Sequence, residues 1–130
     1  MHRSGQGRRR LAGLVLLVAV LAGCSTDNRY TDQGDQLPRS DLSHARPISW
    51  NEVEIVDDTH LRVTFWSGVD GCWGHDIEVD ETTSAVTISL VTGAIPRAWE
   101  GCDGLAVEHT TLVEIAEPLG GRKIVDGNAE

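Results

Sequence analysis

From Pro47 onward, apolar and polar residues alternate over short runs, the period of a strand with one buried face. Val53 and Ile55 alternate with Glu52 and Glu54, and Leu61, Val63 and Phe65 alternate with Arg62 and Thr64. The residues between these runs, Asp57-Asp58-Thr59-His60, are rich in turn formers, so the two runs predict a hairpin. A glycine-rich loop follows, Gly68 to Gly74. Ile77 and Val79 alternate with Asp76, Glu78 and Asp80. After the turn Thr82-Thr83-Ser84, Val86, Ile88 and Leu90 alternate with Thr87 and Ser89, which predicts a second hairpin. A long connection, Thr92 to Gly104, leads to a third β unit. It holds a long, less regular run from Leu105 to Ile115, a Pro118-Leu119-Gly120-Gly121 turn and a short last strand at Ile124-Val125. No segment sustains a helical period. The pattern therefore predicts an all-β fold over residues 47–130: a small antiparallel sandwich or partly open barrel of about six strands.

Upstream the pattern differs. Residues 25–46 are polar and carry few large apolar side chains. Such a stretch buries too little apolar surface to offset its ordering entropy. Residues 24–46 are thus expected to form a flexible tether, with a typical end-to-end distance of about 25 Å.

The first residues differ again. Arg3, Arg8, Arg9 and Arg10 precede an uncharged apolar run from Leu11 to Gly23, the layout of an export signal. A helix of that length spans about 20 Å, short of the roughly 30 Å of bilayer hydrocarbon. The run ends in Leu21-Ala22-Gly23-Cys24, which resembles the lipobox of bacterial lipoproteins. The resemblance implies a diacylglyceryl group on the Cys24 thiol and cleavage of residues 1–23. It also implies acylation, such as by palmitate, of the new amino terminus. Two or more acyl chains hold a protein stably on a membrane. The expected location is the extracytoplasmic face of the cell membrane, with the membrane contacted through lipid on Cys24.

The precursor carries a formal charge of −9, and loss of the four signal arginines leaves −13. Such a chain repels nucleic acid, so a nucleic-acid role is not expected. With Cys24 committed to lipid, Cys72 and Cys102 remain, and in an exported domain that pair reads as a structural disulfide. It would tie the loop between the hairpins to the connection before the third unit.

The stretch from Gly71 to Asp126 also resembles a group of small actinobacterial lipoproteins and secreted proteins. The resemblance rests on the glycine-cysteine loop, on Val79-Asp80-Glu81-Thr82, on the second cysteine, and on Pro118-Leu119-Gly120-Gly121-Arg122 followed by Asp126. It implies the same fold and disulfide and no catalytic residue.

Candidate chemistry is sparse. The chain has no His-x-His, His-x-x-x-His or Cys-x-x-Cys, so no metal or other cofactor is expected. No serine sits in a Gly-x-Ser-x-Gly turn. The tryptophans stand out: Trp73 follows Cys72, Trp99 shortly precedes Cys102, and Trp66 ends the first hairpin. A disulfide would draw them together as a candidate binding surface. The sequence therefore points to a non-catalytic binding module of the cell envelope, with an envelope protein or small ligand as partner. The alternative is a small envelope enzyme or metal-dependent protein using His75, Asp76 and His109, provided those side chains converge.

Overall fold

A computed structural model of the chain describes residues 34–98 and 102–129. Cys24 and Trp99 lie outside the described residues. Seven strands form among the described residues: β1 (Ser43–Ile48), β2 (Glu52–Asp57), β3 (His60–Ser67), β4 (Trp73–Glu81), β5 (Ala85–Ala94), β6 (Val107–Glu114) and β7 (Lys123–Asp126). They make two sheets, one of four strands and one of three. The all-β fold holds, as a sandwich of two sheets rather than a closed barrel.

Both expected hairpins are present. β2 pairs antiparallel with β3, with Val53 opposite Val63 and Ile55 opposite Leu61. β4 pairs antiparallel with β5 along its whole length, from Trp73 opposite Ala94 to Glu81 opposite Val86. The third unit does not stay together. β6 joins the far edge of β3, while β7 crosses to the other sheet and lies parallel to the first part of β5. β1 occupies the remainder of that β5 edge, antiparallel, with Arg46 opposite Thr92 and Ile48 opposite Leu90. One side of β5 is thus shared by two short strands. Their junction is sealed by Asn128, whose side-chain NH2 donates to the carbonyls of Ile48 (3.0 Å) and Leu90 (2.8 Å).

Alternation places the core between the sheets. Leu61, Val63 and Phe65 of β3 and Val86, Ile88 and Leu90 of β5 are fully buried. Val113, Ile115 and Leu119 complete the cluster, and Trp50, Ile77, Val79 and Ile124 pack at its margin. Leu119 reaches the core because the turn that carries it is held from both ends. Its N–H donates to the Asp58 carbonyl. Arg122 donates to the carbonyls of Glu117, Pro118 and Leu119 and to the Glu81 carboxylate at 3.1 Å.

The expected tether boundary at residue 46 requires correction, because the ordered domain begins well before Pro47. The N–H of Gln36 donates to the Thr110 carbonyl on β6, and that of Arg39 donates to the His75 carbonyl on β4. The segment therefore closes the seam between one edge strand of each sheet. It then crosses the outer face of the larger sheet at Gly74 and Gly93, which lie opposite each other in the β4–β5 register. A Cβ on Gly93 would come within 3.0 Å of the Leu42 Cβ, and one on Gly74 within 2.9 Å of a Leu42 methyl. The glycine pair is the gap through which the chain reaches β1. Polarity misleads here because these residues are held by hydrogen bonds and charge rather than by apolar burial. Asp35 covers Arg62, itself buried on the outer face of the smaller sheet, with Arg62 Nε 3.0 Å from Asp35 Oδ1.

Candidate functional site

At one end of the sandwich a groove opens between the end of β3, the start of β4, β1 and the loop before β6. Its volume is about 260 Å³. Trp66 and Trp73 supply its aromatic surface, Arg46 and Asp103 its charge, and Ile48 and Leu105 further apolar wall. Trp66, Trp73, Arg46 and Ile48 arrive by strand geometry, and Asp103 and Leu105 come from the loop before β6. Phe65 points into the core, so its neighbour Trp66 points outward and stays 49% exposed. Trp73 is the first residue of β4 and packs its indole over Gly68, where any side chain would overlap the ring. Arg46 and Ile48 alternate along β1 and so share one face.

The floor is polar and bridges the two sheets. The hydroxyls of Ser67 and Thr92 lie 2.6 Å apart, and Thr92 also donates to the Gly74 carbonyl at 3.0 Å. The expected disulfide is present between Cys72 and Cys102, with Cα atoms 5.7 Å apart. Cys72 directly precedes Trp73 and Cys102 directly precedes Asp103, so the bond joins two walls of the groove. A further hydrogen bond, from Ile95 N–H to the Cys72 carbonyl, fixes this loop to the end of β5.

The polar groups of the groove are uncommitted. Among the described residues, the Arg46 guanidinium, the Asp103 carboxylate and the indole N–H groups of Trp66 and Trp73 take part in no hydrogen bond or ion pair. Trp50 shows the contrast, since its indole N–H donates to the Ile88 carbonyl at 3.1 Å.

The histidines are used differently. His75 and His109 both point between the sheets and flank Phe65, with ring centroids 4.8 and 5.8 Å from it. His75 Nδ1 donates to Gln36 Oε1 at 2.7 Å, and its Nε2 lies 2.8 Å from the Thr111 hydroxyl. That hydroxyl is also 3.0 Å from the Gln36 carbonyl, so its single proton serves one of the two acceptors at a time. Burial pushes the His75 pKa down to about 4, partly opposed by Asp76 and reinforced by His109. The imidazole is therefore neutral at neutral pH, with Nε2 accepting from Thr111. His109 Nε2 donates to the Gly68 carbonyl at 2.7 Å and so braces the loop that carries the Trp73 contact. Asp76, adjacent to His75 in the strand, projects from the opposite face, and its carboxylate accepts from the Ile77 N–H. The three side chains do not converge on a common cleft. Among the described residues no group of three or more His, Cys, Asp or Glu is placed to hold a metal ion.

Of the expected surface, Trp66 and Trp73 share the groove, while Trp99 lies outside the described residues. Sequence reasoning missed Arg46, assigned to the tether, and Asp103, assigned to a connection. Alternation of Arg46 and Ile48 is too short a signal to mark a strand, whereas the position of Asp103 next to Cys102 was available.

Comparison with known proteins adds no relative: no family model, no curated protein and no solved structure matches the chain.

Proposed function

We propose that this protein is an extracytoplasmic lipoprotein whose β domain is a non-catalytic binding module, with the Trp66–Trp73 groove as its binding site. The observation that carries the binding role is the groove itself: two indoles beside uncommitted polar groups, on a frame held by a disulfide. Ligand sites are concave, mostly apolar, and carry a few polar groups that fix orientation. Exposed tryptophan beside arginine is also the composition of binding hot spots. The anchor rests on Arg3 through Cys24, which read as a lipoprotein signal. Asp35 lies eleven positions after Cys24, so a lipid on Cys24 keeps the docked Asp35 within about 40 Å of the anchor point. The partner is then a component of the envelope, either a protein or a small ligand.

Two exposed apolar residues provide an internally controlled test. Leu105 lines the groove and is 62% exposed, and Ile55 lies outside it on β2 and is 57% exposed. A photoreactive side chain placed at each position in turn, and activated in intact cells, should give an adduct of discrete mass at Leu105 and none at Ile55. Equal labelling at both positions, or none at Leu105, contradicts the reading.

A further inference from the structure

The chemistry of the groove narrows the ligand class, and this step rests on the groove being a binding site. We infer that the groove seats a single neutral sugar ring, as a free saccharide or as the end residue of a glycan.

Three observations converge. First, the cavity of about 260 Å³ lies below the roughly 300–1,000 Å³ usual for drug-sized ligands, so it accommodates one ring rather than a folded chain. Second, its aromatic surface is two indoles, Trp66 and Trp73, with electron-rich faces. A pyranose presents a face of C–H bonds, weakly positive and apolar, that complements such a surface. Third, the remaining groups match a rim of hydroxyls. Each hydroxyl both donates and accepts. Arg46 and the two indole N–H groups are donors, Asp103 is an acceptor, and none of them is engaged elsewhere among the described residues. A guanidinium and a carboxylate are planar groups able to hold two neighbouring oxygens at once.

The same list weighs against other occupants. A quaternary ammonium would suit two indoles and a carboxylate, but Arg46 shares the groove and opposes a cation. A phosphate or other polyanion would meet Asp103 and a chain of net charge −9. One guanidinium, Arg46, and one carboxylate, Asp103, among the lining residues leave the groove without formal net charge, as a polyol requires.

The disulfide acts on the same ligand. Asp103 and Leu105 lie in a connecting loop, and Trp73 starts a strand, so without a link their separation would vary. The Cys72–Cys102 bond fixes them before the ligand arrives, which lowers the ordering cost of binding.

The test uses the full chain in phosphatidylglycerol vesicles. Glucose, galactose, mannose, arabinose and N-acetylglucosamine are titrated as methyl glycosides, and tetramethylammonium and inorganic phosphate serve as opposing probes. Binding is read by saturation-transfer NMR and tryptophan fluorescence. At least one glycoside should bind saturably, with transfer strongest to the C–H groups of one ring face. Trp66 is half exposed, so Trp66→Ala should leave the fold intact while weakening that sugar about tenfold, or 1.4 kcal/mol. Trp66→Phe, which keeps a ring, should restore most of the affinity. Asp103→Asn should change the ranking among sugars.

Saturable binding of tetramethylammonium or phosphate that is lost in Trp66→Ala overturns the sugar inference and leaves the groove as a site. A sugar bound equally well by the native protein and Trp66→Ala overturns it too. If no probe binds, the sugar inference falls, and labelling at Leu105 then decides separately whether the groove is a site at all.

Discussion

Replacing Asp35 with alanine is expected to destabilise the domain by about 3 kcal/mol, although Asp35 precedes every strand. The reason is the charge it covers. Arg62 is only 6% exposed, and Asp35 accepts from its Nε at 3.0 Å and from its Nη2 at 3.1 Å. The Thr110 hydroxyl donates to the same carboxylate at 2.6 Å. Burial pushes the Asp35 pKa up, but the hydrogen bonds from Arg62 and Thr110 outweigh it and hold the carboxyl below its ordinary value. Removing one member of a buried pair strands the other, which costs about 3–5 kcal/mol. Glu54, 3.4 Å from Arg62 and largely exposed, keeps partial cover and sets the effect at the low end. Urea unfolding of the native protein and Asp35→Ala measures it. The double variant Asp35→Ala/Arg62→Met should recover much of the loss, because no charge is then left without a partner. A single-variant cost below about 1 kcal/mol, typical of a surface pair, would contradict a buried lock.

The second large effect is a loss of stability in mild acid, centred on His75. Its folded-state pKa is depressed from 6.5 to about 4. The unfolded chain therefore binds the proton more readily than the folded one. The stability this group contributes is complete above about pH 6.5 and is lost as pH falls toward 4. Between neutral pH and about pH 5 the expected loss is about 2 kcal/mol. The groups facing His75 leave little compensation. Phe65 and the Thr111 hydroxyl offer no charge, and His109 lies beyond Phe65. Asp76, the neighbouring carboxylate, projects from the other face of β4. The carboxylates with lowered pKa values, Asp35, Asp41 and Glu81, remain ionised over this range and lose their contribution only further down. Thermal melts near pH 7 and 5 should show the native protein falling while His75→Gln, which has no titrating ring, stays level. Equal native stability at both pH values would contradict the buried neutral imidazole.

The two hairpins were legible because one strand of each, β3 and β5, buries a full face. Leu61, Val63 and Phe65, and then Val86, Ile88 and Leu90, write the core directly into the alternation. β1 was not legible, since only its two end residues are even partly buried. Its place comes from backbone pairing with β5, which leaves no apolar mark. β7 read as a strand, but its parallel partner depends on the chain crossing between sheets, which a four-residue run does not encode. Polar anchoring defeated the tether boundary in the same way, because Asp35 and Gln36 earn their order from Arg62, Thr110, Thr111 and His75, residues distant in sequence. His109 could be placed inside from its parity with Val113 and Ile115, and the same parity with Ile77 and Val79 would have placed His75 there. In the groove, the indoles and the disulfide stood out as residue types. Arg46 and Asp103 joined them only through β1 and the cysteine link.

The central claim, a β domain displayed from a lipid anchor, is tested most directly by the mass and location of the mature protein. Cells expressing the native chain and Cys24→Ala are separated into membrane and soluble fractions, and the protein from each is weighed intact. The native protein should sit in the membrane fraction, begin at Cys24 and carry the added mass of a diacylglyceryl group, while Cys24→Ala should carry no lipid and leave the tightly bound pool. A native chain that begins elsewhere without lipid, or a Cys24→Ala protein held as a mature chain just as firmly, would contradict it.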